Sequence, residues 1–276
     1  ALAGFRCRTP VVWHLRDLLG RPHFSPLNTR AAVMLANRGA ARVIANSCAT
    51  ADAFVAHGGD RAKVRVVHNG INAAPFDMVP DAQAHVLRER LSPDAGQVMA
   101  VFGRIAAWKG QQTVITALRE LPGDCHLWIV GAPLFGEQAF EQELRALAAE
   151  SGLSPRVHFL GFRHDVPTLM RAADVIVHAS ALPEPFGRVI VEGMLAQRPV
   201  IATAAGGVGE IIDDGRTGVL VPPGDAAALA AAVQALRNDP SRAAALAAAG
   251  AAHARRAFSV GAMVRGVRAV FDEVAG

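Results

Sequence analysis

The chain has 276 residues and a formal net charge of +4, and 51% of its residues are apolar. That length can bury the core of one complete domain and part of another. No uncharged apolar run approaches the ~18 to 20 residues of a membrane-spanning helix, so we expect a soluble protein.

Arginine supplies nearly all of the positive charge, because Lys63 and Lys109 are the only lysines. The arginines are scattered without a basic block or interleaved aromatics, which argues against a nucleic-acid partner. Such a surface can still meet anionic lipid head groups. The three cysteines have no metal or redox spacing, and their odd number favours a reducing compartment. We therefore expect a cytoplasmic protein, with peripheral contact to the inner membrane left open.

Short apolar strands alternate with helices in the first part of the chain. We predict strands at 11–15, 42–45 and 64–67, and helices at 26–38 and from the cap Ser47 to His57. A doubly wound domain rarely has so few residues before its first strand. Residues 1–70 are therefore interpreted as the C-terminal part of a Rossmann-like domain. Residues 71–96 hold three prolines and a helical pattern at 81–91, which predicts a linker with an entry helix.

A new alternating series begins at residue 97. We predict strands at 98–102, 126–130, 157–160, 175–178, 200–202 and 218–221. The helices predicted between them are 110–121, 137–151, 166–173, one beginning near Phe186, and 209–213, with Ala-rich helix from 225 through 246 and a last helix at 260–274. Six strands alternating with helices predict an α/β fold with a doubly wound parallel sheet, whose ligands bind at the carboxyl ends of the strands.

Two carboxylates flank the helix predicted to begin near Phe186. Glu184 lies between two prolines, which places it on the loop at the end of a strand, whereas Glu192 falls on the second helical turn. At the start of this helix we expect the backbone N–H groups of Phe186, Gly187 and Arg188 to be unpaired. An anion such as phosphate binds at such a position. The pattern favours a sugar nucleotide, with Glu184 on sugar hydroxyls and Glu192 on a ribose. The alternative is that Glu184 is an ordinary charged loop residue and that Glu192 is a solvated helix residue.

A second strand-to-helix loop, G-R-I-A-A-W-K-G at 103–110, carries Arg104 and Lys109. Two cations joined by helix N–H groups suit a diphosphate and would stabilise the charge that develops when it leaves. The loop is not a Walker A sequence, because neither Lys-Ser nor Lys-Thr follows its glycine. Surface charge without a ligand is the alternative.

Two further clusters follow strands. The loop A-G-G-V-G-E-I-I at 205–212, which includes Gly207, allows close backbone approach to a ligand, but it lacks the third glycine of the dinucleotide fingerprint. A hydride-transfer enzyme is therefore disfavoured. In the turn G-F-R-H-D at 161–165, Phe162 or Arg163 could cover a flat base. The alternative is an ordinary loop with Asp165 as a helix cap.

In this order, the motifs resemble those of the retaining glycosyltransferases of the GT4 type, which have the two-domain GT-B fold. The resemblance runs from V-V-H-N-G-I at 66–71, through G-R-I-A-A-W-K-G and E-P-F-G-R-V-I-V-E, to the G-G-V-G-E loop and the last helices. It implies that 1–70 belong to the acceptor-side domain, 97–258 to the donor domain, and 259–276 to a helix crossing back. The family usually has a longer N-terminal domain, so we expect a shortened chain with an incomplete acceptor site.

The resemblance also implies roles for individual residues. Arg104 and Lys109 would grip the donor diphosphate, and Glu192 would bind the ribose. Glu184 would hold donor sugar hydroxyls near the reacting face, and the backbone of Phe186 and Gly187 would contact the donor. The turn 161–163 lies where such enzymes hold the base. His14, in V-W-H-L-R-D, is similar to a histidine that the family places across the cleft near the reacting sugar, with a structural histidine as the alternative.

The predicted activity is therefore transfer of a sugar from a nucleoside diphosphate to a glycan, lipid or other hydroxyl acceptor, with retention at the anomeric carbon. No D-x-D triplet occurs and His and Cys lack ligand spacing, so we expect no required metal and no other cofactor. Two alternatives remain open, a sugar-nucleotide epimerase of the same fold and a non-catalytic module that binds the nucleotide sugar.

Overall fold

A computed structural model describes residues 9–20 and 24–275 of the chain. The chain divides into two compact units. Of the described residues, unit 1 comprises those up to 71, those at 184–187 and those from 256 onward, and unit 2 comprises residues 72–183 and 188–255.

Unit 1 contains a three-stranded parallel sheet. Its strands, in the order β1-β2-β3, are β1 (Val12–Leu15), β2 (Arg42–Ala45) and β3 (Val64–Val66), and they alternate with the helices α1 (Pro26–Gly39) and α2 (Cys48–Ala56). The predicted cap of α2 is confirmed, because Ser47 Oγ accepts a hydrogen bond from the Thr50 N–H at 3.0 Å. Val43 and Phe54 are fully buried between sheet and helices and form the centre of this unit's core.

Unit 2 contains a six-stranded parallel sheet with helices between its strands. The strands are β4 (Gln97–Phe102), β5 (Cys125–Val130), β6 (Val157–Gly161), β7 (Val175–His178), β8 (Val200–Thr203) and β9 (Val219–Val221). The helices are α3 (Ala74–Asp77), α4 (Asp81–Leu91), α5 (Gln111–Leu118), α6 (Gln138–Glu150), α7 (Val166–Ala172), α8 (Arg188–Leu195), α9 (Ala226–Asn238) and α10 (Pro240–Ala257). All six predicted strands are confirmed.

The strand order β6-β5-β4-β7-β8-β9 has a topological switch at β4. The chain builds from β4 outward to β6 and then returns to place β7 on the other side of β4. Every residue of β4 is buried, as expected for a central parallel strand covered on both faces. Open α/β sheets bind ligands outside the carboxyl ends of the strands at such a switch, here beyond Phe102.

The last helix, α11 (Val260–Ala275), belongs to unit 1 and packs against β2. Val270 on its inner face lies in one apolar cluster with Ile44 and Val67. Glu273 pairs with both Arg42 and Arg65, at 3.0 and 2.8 Å. Among residues 9–20 and 24–275, no helix combines the length and the apolarity that a bilayer span requires.

Three predicted helix boundaries differ from those in the structure. The helix expected near Phe186 begins at Arg188, because Gly187 has a φ of 100° that a right-handed helix cannot include. The expected helix at 209–213 is a 3₁₀ turn at Gly207–Glu210. The Ala-rich run divides into α9 and α10 at Pro240, where Asp239 caps the second helix by accepting from the Arg242 N–H.

Candidate functional site

The loop at 103–110 is attached to the segment that follows β7. Gly110, with φ of 72°, comes so close to that segment that an added Cβ would lie 1.9 Å from the Ala179 carbonyl oxygen. The Ala181 N–H also donates to the Trp108 carbonyl at 2.8 Å. Gly110 is therefore required both for its left-handed conformation and for the close approach of two backbones. The contact places the loop beside the carboxyl ends of the central strands.

Arg104 and Lys109 both lie beside the Trp108 ring. Lys109 Nζ is 4.1 Å and Arg104 Cζ is 6.0 Å from its centroid. The Arg104 guanidinium also lies 5.1 Å from the Phe135 ring and 3.6 Å from a Glu137 carboxylate oxygen. Aromatic faces attract cations, so these rings hold the two charges near the strand ends. Trp108, Phe135 and Glu137 were not predicted as site residues, because their roles depend on contacts between separate loops.

A cavity of about 290 Å³ opens at the carboxyl edge of the sheet in unit 2. Four predicted site residues line it, namely Arg104, Phe162, Arg163 and Glu192. The remaining wall is largely backbone and apolar, from Phe102, Gly103, Val130, Gly131, Ala132, Leu134, Val166 and Val189. An apolar cleft with a few converging polar groups is the usual form of a small-molecule site.

Glu192 lies on the second turn of α8, as predicted, and its side chain is only 19% exposed. Burial raises the pKa of this carboxyl, because a charged group loses solvation in the cavity wall. Arg188, one helical turn earlier, opposes that effect through a 3.3 Å hydrogen bond from Nη2 to the Glu192 carboxylate. The carboxylate thus faces the cavity region with limited hydration, where hydroxyl donors would bind it strongly.

The turn after β6 presents one ring and one guanidinium to the cavity. The Phe162 side chain is 71% exposed and packs edge-on against His164, with centroids 4.8 Å apart. Arg163 makes two parallel hydrogen bonds to Asp165, at 2.8 and 2.6 Å, and these bonds lower the pKa of the Asp165 carboxyl. Asp165 occupies the N-cap position of α7, as the alternative expected, but its side chain makes no capping hydrogen bond. The pairing holds the Arg163 guanidinium in one orientation at the cavity wall.

Gly207 is not part of this cavity. It is buried in the 3₁₀ turn that follows β8, next to Gly206, whose φ is 67°. The turn brings backbone groups near the end of β8, but the lining of the cavity comes from the loops after β4, β5 and β6 and from α8.

The loop at 184–187 belongs to unit 1 although it joins two segments of unit 2. Glu184 is on a loop as predicted, and it is buried, with 6% exposure. Phe186 is 2% exposed, and its ring packs against Phe258 at 5.6 Å and His68 at 6.0 Å. Phe186 and Gly187 lie immediately before α8, and the binding of an anion by their N–H groups stays a prediction. The aromatic cluster holds the loop to unit 1.

A buried polar network in unit 1 also contacts that loop. The Thr50 hydroxyl lies 2.8 Å from Asn46 Oδ1 and 3.4 Å from the Pro185 carbonyl oxygen. The Asn46 amide donates to the Arg16 carbonyl at 3.1 Å, which ties the network to the end of β1. No sequence motif indicated Thr50 or Asn46, because their contacts with Arg16 and Pro185 join residues that are 30 and 135 positions apart in the chain.

His14 lies on β1 with an exposed side chain. Although the residue is exposed overall, partial desolvation of the ring, together with the nearby Arg16, lowers the pKa of His14. In the described residues, no group of three or more His, Cys, Asp or Glu side chains could hold a metal ion. That the activity needs no metal remains a prediction.

Comparison with known proteins gives two adjoining matches to family models. Residues 86–253 match the model for glycosyl transferases group 1, and residues 1–70 match the model for a glycosyl transferase 4-like domain. Among curated proteins, the D-inositol 3-phosphate glycosyltransferase of Mycobacterium tuberculosis is 37% identical over 168 residues. That match covers 60% of this chain and 34% of the relative, so the chain aligns with about a third of the relative's length.

Solved structures resemble nearly the whole chain. Anabaena HepE, crystallised with UDP and glucose, superimposes with a TM-score of 0.94 at 39% identity, over 98% of this chain and 73% of HepE. HepE has also been crystallised with UDP-glucose. Sucrose-phosphate synthase from Thermosynechococcus elongatus has a TM-score of 0.86 at 26% identity, over 99% of this chain and 71% of the synthase.

Proposed function

The chain belongs to the glycosyl transferases group 1 family, and from this premise we propose that it transfers a sugar from a nucleoside diphosphate sugar to a hydroxyl acceptor, with retention of anomeric configuration. The resemblance to GT4-type enzymes and the predicted GT-B fold are both confirmed by the matches. The observation that carries the proposal is the cavity in unit 2, where Arg104, Phe162 and Glu192 line one space at the topological switch point.

The cavity suits the nucleotide half of a donor. The exposed Phe162 ring offers a flat surface for a base, and the Glu192 carboxylate offers two acceptor oxygens for ribose hydroxyls. HepE was crystallised with UDP and with UDP-glucose, which makes a uridine nucleotide the first donor to test.

The loop at 103–110 suits the diphosphate. Arg104 and Lys109 lie beside one indole ring, and Arg104 also lines the cavity. Their positive charges would neutralise the diphosphate as it leaves and lower the barrier to breaking the bond to the sugar. The first turn of α8, starting at Arg188, adds backbone N–H groups that have no intrahelical partner. These donors make a metal ion unnecessary in the proposed reaction.

Retention follows if the acceptor attacks from the face that the diphosphate leaves. A departing phosphate oxygen would accept the proton of the attacking hydroxyl, while the C–O bond to phosphate breaks and the bond to the acceptor oxygen forms. Glu184 would hold donor sugar hydroxyls, and His14 would contact the reacting sugar, as the family resemblance implies. Both residues lie in unit 1. The acceptor is proposed to be a glycan or a lipid-linked hydroxyl, the latter bringing the protein to the inner membrane surface.

Calorimetric titration with UDP, UDP-glucose and the corresponding guanosine and adenosine diphosphates tests the donor. A time course with UDP-glucose and a panel of glycan acceptors then tests transfer, and proton NMR of the product gives the anomeric configuration. We expect tightest binding of one nucleoside diphosphate and a product with the donor's configuration. An epimerised sugar nucleotide formed without acceptor would support the epimerase alternative, and binding without any turnover would support the non-catalytic module. An inverted product would refute retention.

A further inference from the structure

A second cavity lies at the opposite edge of the sheet in unit 2. Its volume is about 550 Å³, and its wall includes the residues at or before the first positions of three strands, Gln97 for β4, Asp174 for β7 and Pro199 for β8. The cavity described above lies at the carboxyl ends of the strands. The two spaces are therefore at opposite ends of the same sheet, and none of the residues lining one lines the other.

Arg198 lines this second cavity and makes no ion pair among the described residues. Its Nε and Nη2 both donate to one acceptor, the Arg171 carbonyl oxygen. Within residues 9–20 and 24–275, no carboxylate lies in ion-pairing distance of Arg198. The guanidinium is half-buried, and this burial lowers the pKa of Arg198, although the carboxylates of Asp174 and Asp81, which lie beyond ion-pairing distance, act in the opposite direction. A desolvated cation without a counterion is costly unless an anion approaches it.

The other charges at this cavity are already neutralised. Arg237 donates to Asp124 at 2.7 Å, and Asp174 accepts from Arg88 at 2.6 Å. Asp174 additionally accepts a hydrogen bond from the Val98 N–H at 2.7 Å. The net charge available to a ligand is therefore the single positive charge of Arg198.

A buried amide adds a further donor. Gln97 is 6% exposed, and its carbonyl oxygen is 3.5 Å from Cys125 Sγ. Its amide nitrogen has no hydrogen-bond partner in the described part of the chain. Gln197, at the turn before Arg198, has a φ of 56°. This left-handed conformation costs a non-glycine residue conformational free energy, and residues in such conformations cluster at binding sites.

Much of the remaining lining of this cavity is apolar. It includes Leu236, Pro240 and small alanine side chains of α10, at 243, 244, 247 and 248. Small side chains leave room beside the polar wall for a carbon skeleton. A volume of about 550 Å³ is within the usual range of roughly 300 to 1,000 Å³ for small-molecule pockets.

We propose that this cavity is a second binding site, for a small organic phosphate, with the phosphate on Arg198 and the Gln97 amide and the carbon skeleton against α10. Nε and Nη2 of Arg198 donate to the Arg171 carbonyl oxygen, so the N–H groups of Nη1, which have no partner among the described residues, would bind a phosphate oxygen. The Gln97 amide, in the lining of the same cavity, would donate to a further oxygen. The ligand would bind at the amino-terminal edge of the sheet, away from the proposed donor site. It would be an effector or a second small molecule that is bound without being converted, because its binding uses no reactive group of the described chain.

Thermal shift and calorimetry with glycerol phosphate, inorganic phosphate and glycerol test the site, with UDP present at saturation to occupy the donor cavity. We expect glycerol phosphate to raise the Tm and to bind more tightly than inorganic phosphate, whereas neutral glycerol has no effect. Arg198→Gln should weaken glycerol phosphate binding at least tenfold. Without ligand, the substitution removes a desolvated charge but also two hydrogen bonds to the Arg171 carbonyl oxygen, so the ligand-induced shift is measured relative to the variant's own Tm.

Two matched variants complete the test. Arg216→Gln removes an exposed cation elsewhere in unit 2 and should keep full binding. Ala244→Leu fills the cavity from an exposed helix position, keeps Arg198, and should abolish the response, so it replaces Arg198→Gln if that variant does not fold. Equal losses in Arg198→Gln and Arg216→Gln would overturn the site. So would displacement of glycerol phosphate by UDP, or a wild-type protein that responds to none of the phosphates.

Discussion

Replacing Glu192 by glutamine should weaken nucleotide binding while making the free protein more stable at neutral pH. The carboxyl lies in the wall of the proposed donor cavity with 19% side-chain exposure, and burial raises its pKa. Burial therefore makes the charged form unfavourable in the absence of ligand. Glutamine has the same shape and removes that unfavourable charge.

The size of the binding loss follows from the hydrogen bonds proposed with the ribose. A hydrogen bond to a charged group contributes about 1.5 to 3 kcal/mol, and glutamine keeps one acceptor oxygen without the charge. We expect a loss of about 1 to 3 kcal/mol, which is about five-fold to 150-fold in the Kd for UDP and for UDP-glucose alike. Loss of the ion pair with Arg188 changes this expected binding loss only slightly. Arg188 is 61% exposed, and exposed ion pairs contribute only about 0.2 to 1 kcal/mol.

The pH dependence has a defined sign. Because the pKa of Glu192 is raised in the folded state, the folded protein binds more protons than the unfolded chain between the ordinary and the raised pKa. This carboxyl therefore lowers the free energy of unfolding as the pH rises through that window. Its ribose contact should weaken as the pH falls through the folded pKa. Glu192→Gln should remove both dependences.

Calorimetry with UDP, and urea unfolding of the free protein, each repeated from neutral to acidic pH, measure these effects. Arg188→Gln is the matched control, because it removes the ion-pair partner and keeps the acid. A Kd for UDP that is the same in Glu192→Gln and in the wild type would refute the ribose role. An unchanged pH dependence of unfolding in that variant would refute the assignment of the raised pKa.

Three further predictions concern the donor. Lys109→Ala should raise the Kd for UDP at least tenfold and leave uridine binding nearly unchanged, because the cation is assigned to phosphate; equal losses for both ligands would contradict that role. Glu184→Gln should weaken UDP-glucose but not UDP, and the same profile as Glu192→Gln would remove the distinction between a sugar and a ribose ligand. Chelator should leave UDP-glucose binding intact, and restoration of lost binding by magnesium or manganese would show a metal requirement.

Periodicity alone determined the main architecture of unit 2. Apolar runs of four to six residues such as Val175–His178, separated by helical spacing, can only be buried when parallel strands are covered by helices on both faces. The same local logic predicted Ser47 as a cap, and the two prolines beside Glu184 predicted a loop there. These features depend on a few neighbouring residues, so the sequence carries them directly.

Helix boundaries near glycine were less predictable. Gly187 could have continued the helix, and its positive φ is set by how the loop at 184–187 packs in unit 1. The burial of Phe186 against Phe258 shows the reason, since these residues are far apart in the chain. Local propensity is weaker than such tertiary contacts.

Only the tertiary structure decided which polar groups share a space. Sequence placed Arg104 and Glu192 on separate strand-to-helix segments, and the sheet order brought both to one cavity. Among the described residues, it also left Arg198 without an ion pair, because Asp174 and Asp124 near the same cavity pair with other arginines. Charge compensation depends on distances of a few ångströms between segments remote in sequence, and these distances exist only once the strands have paired.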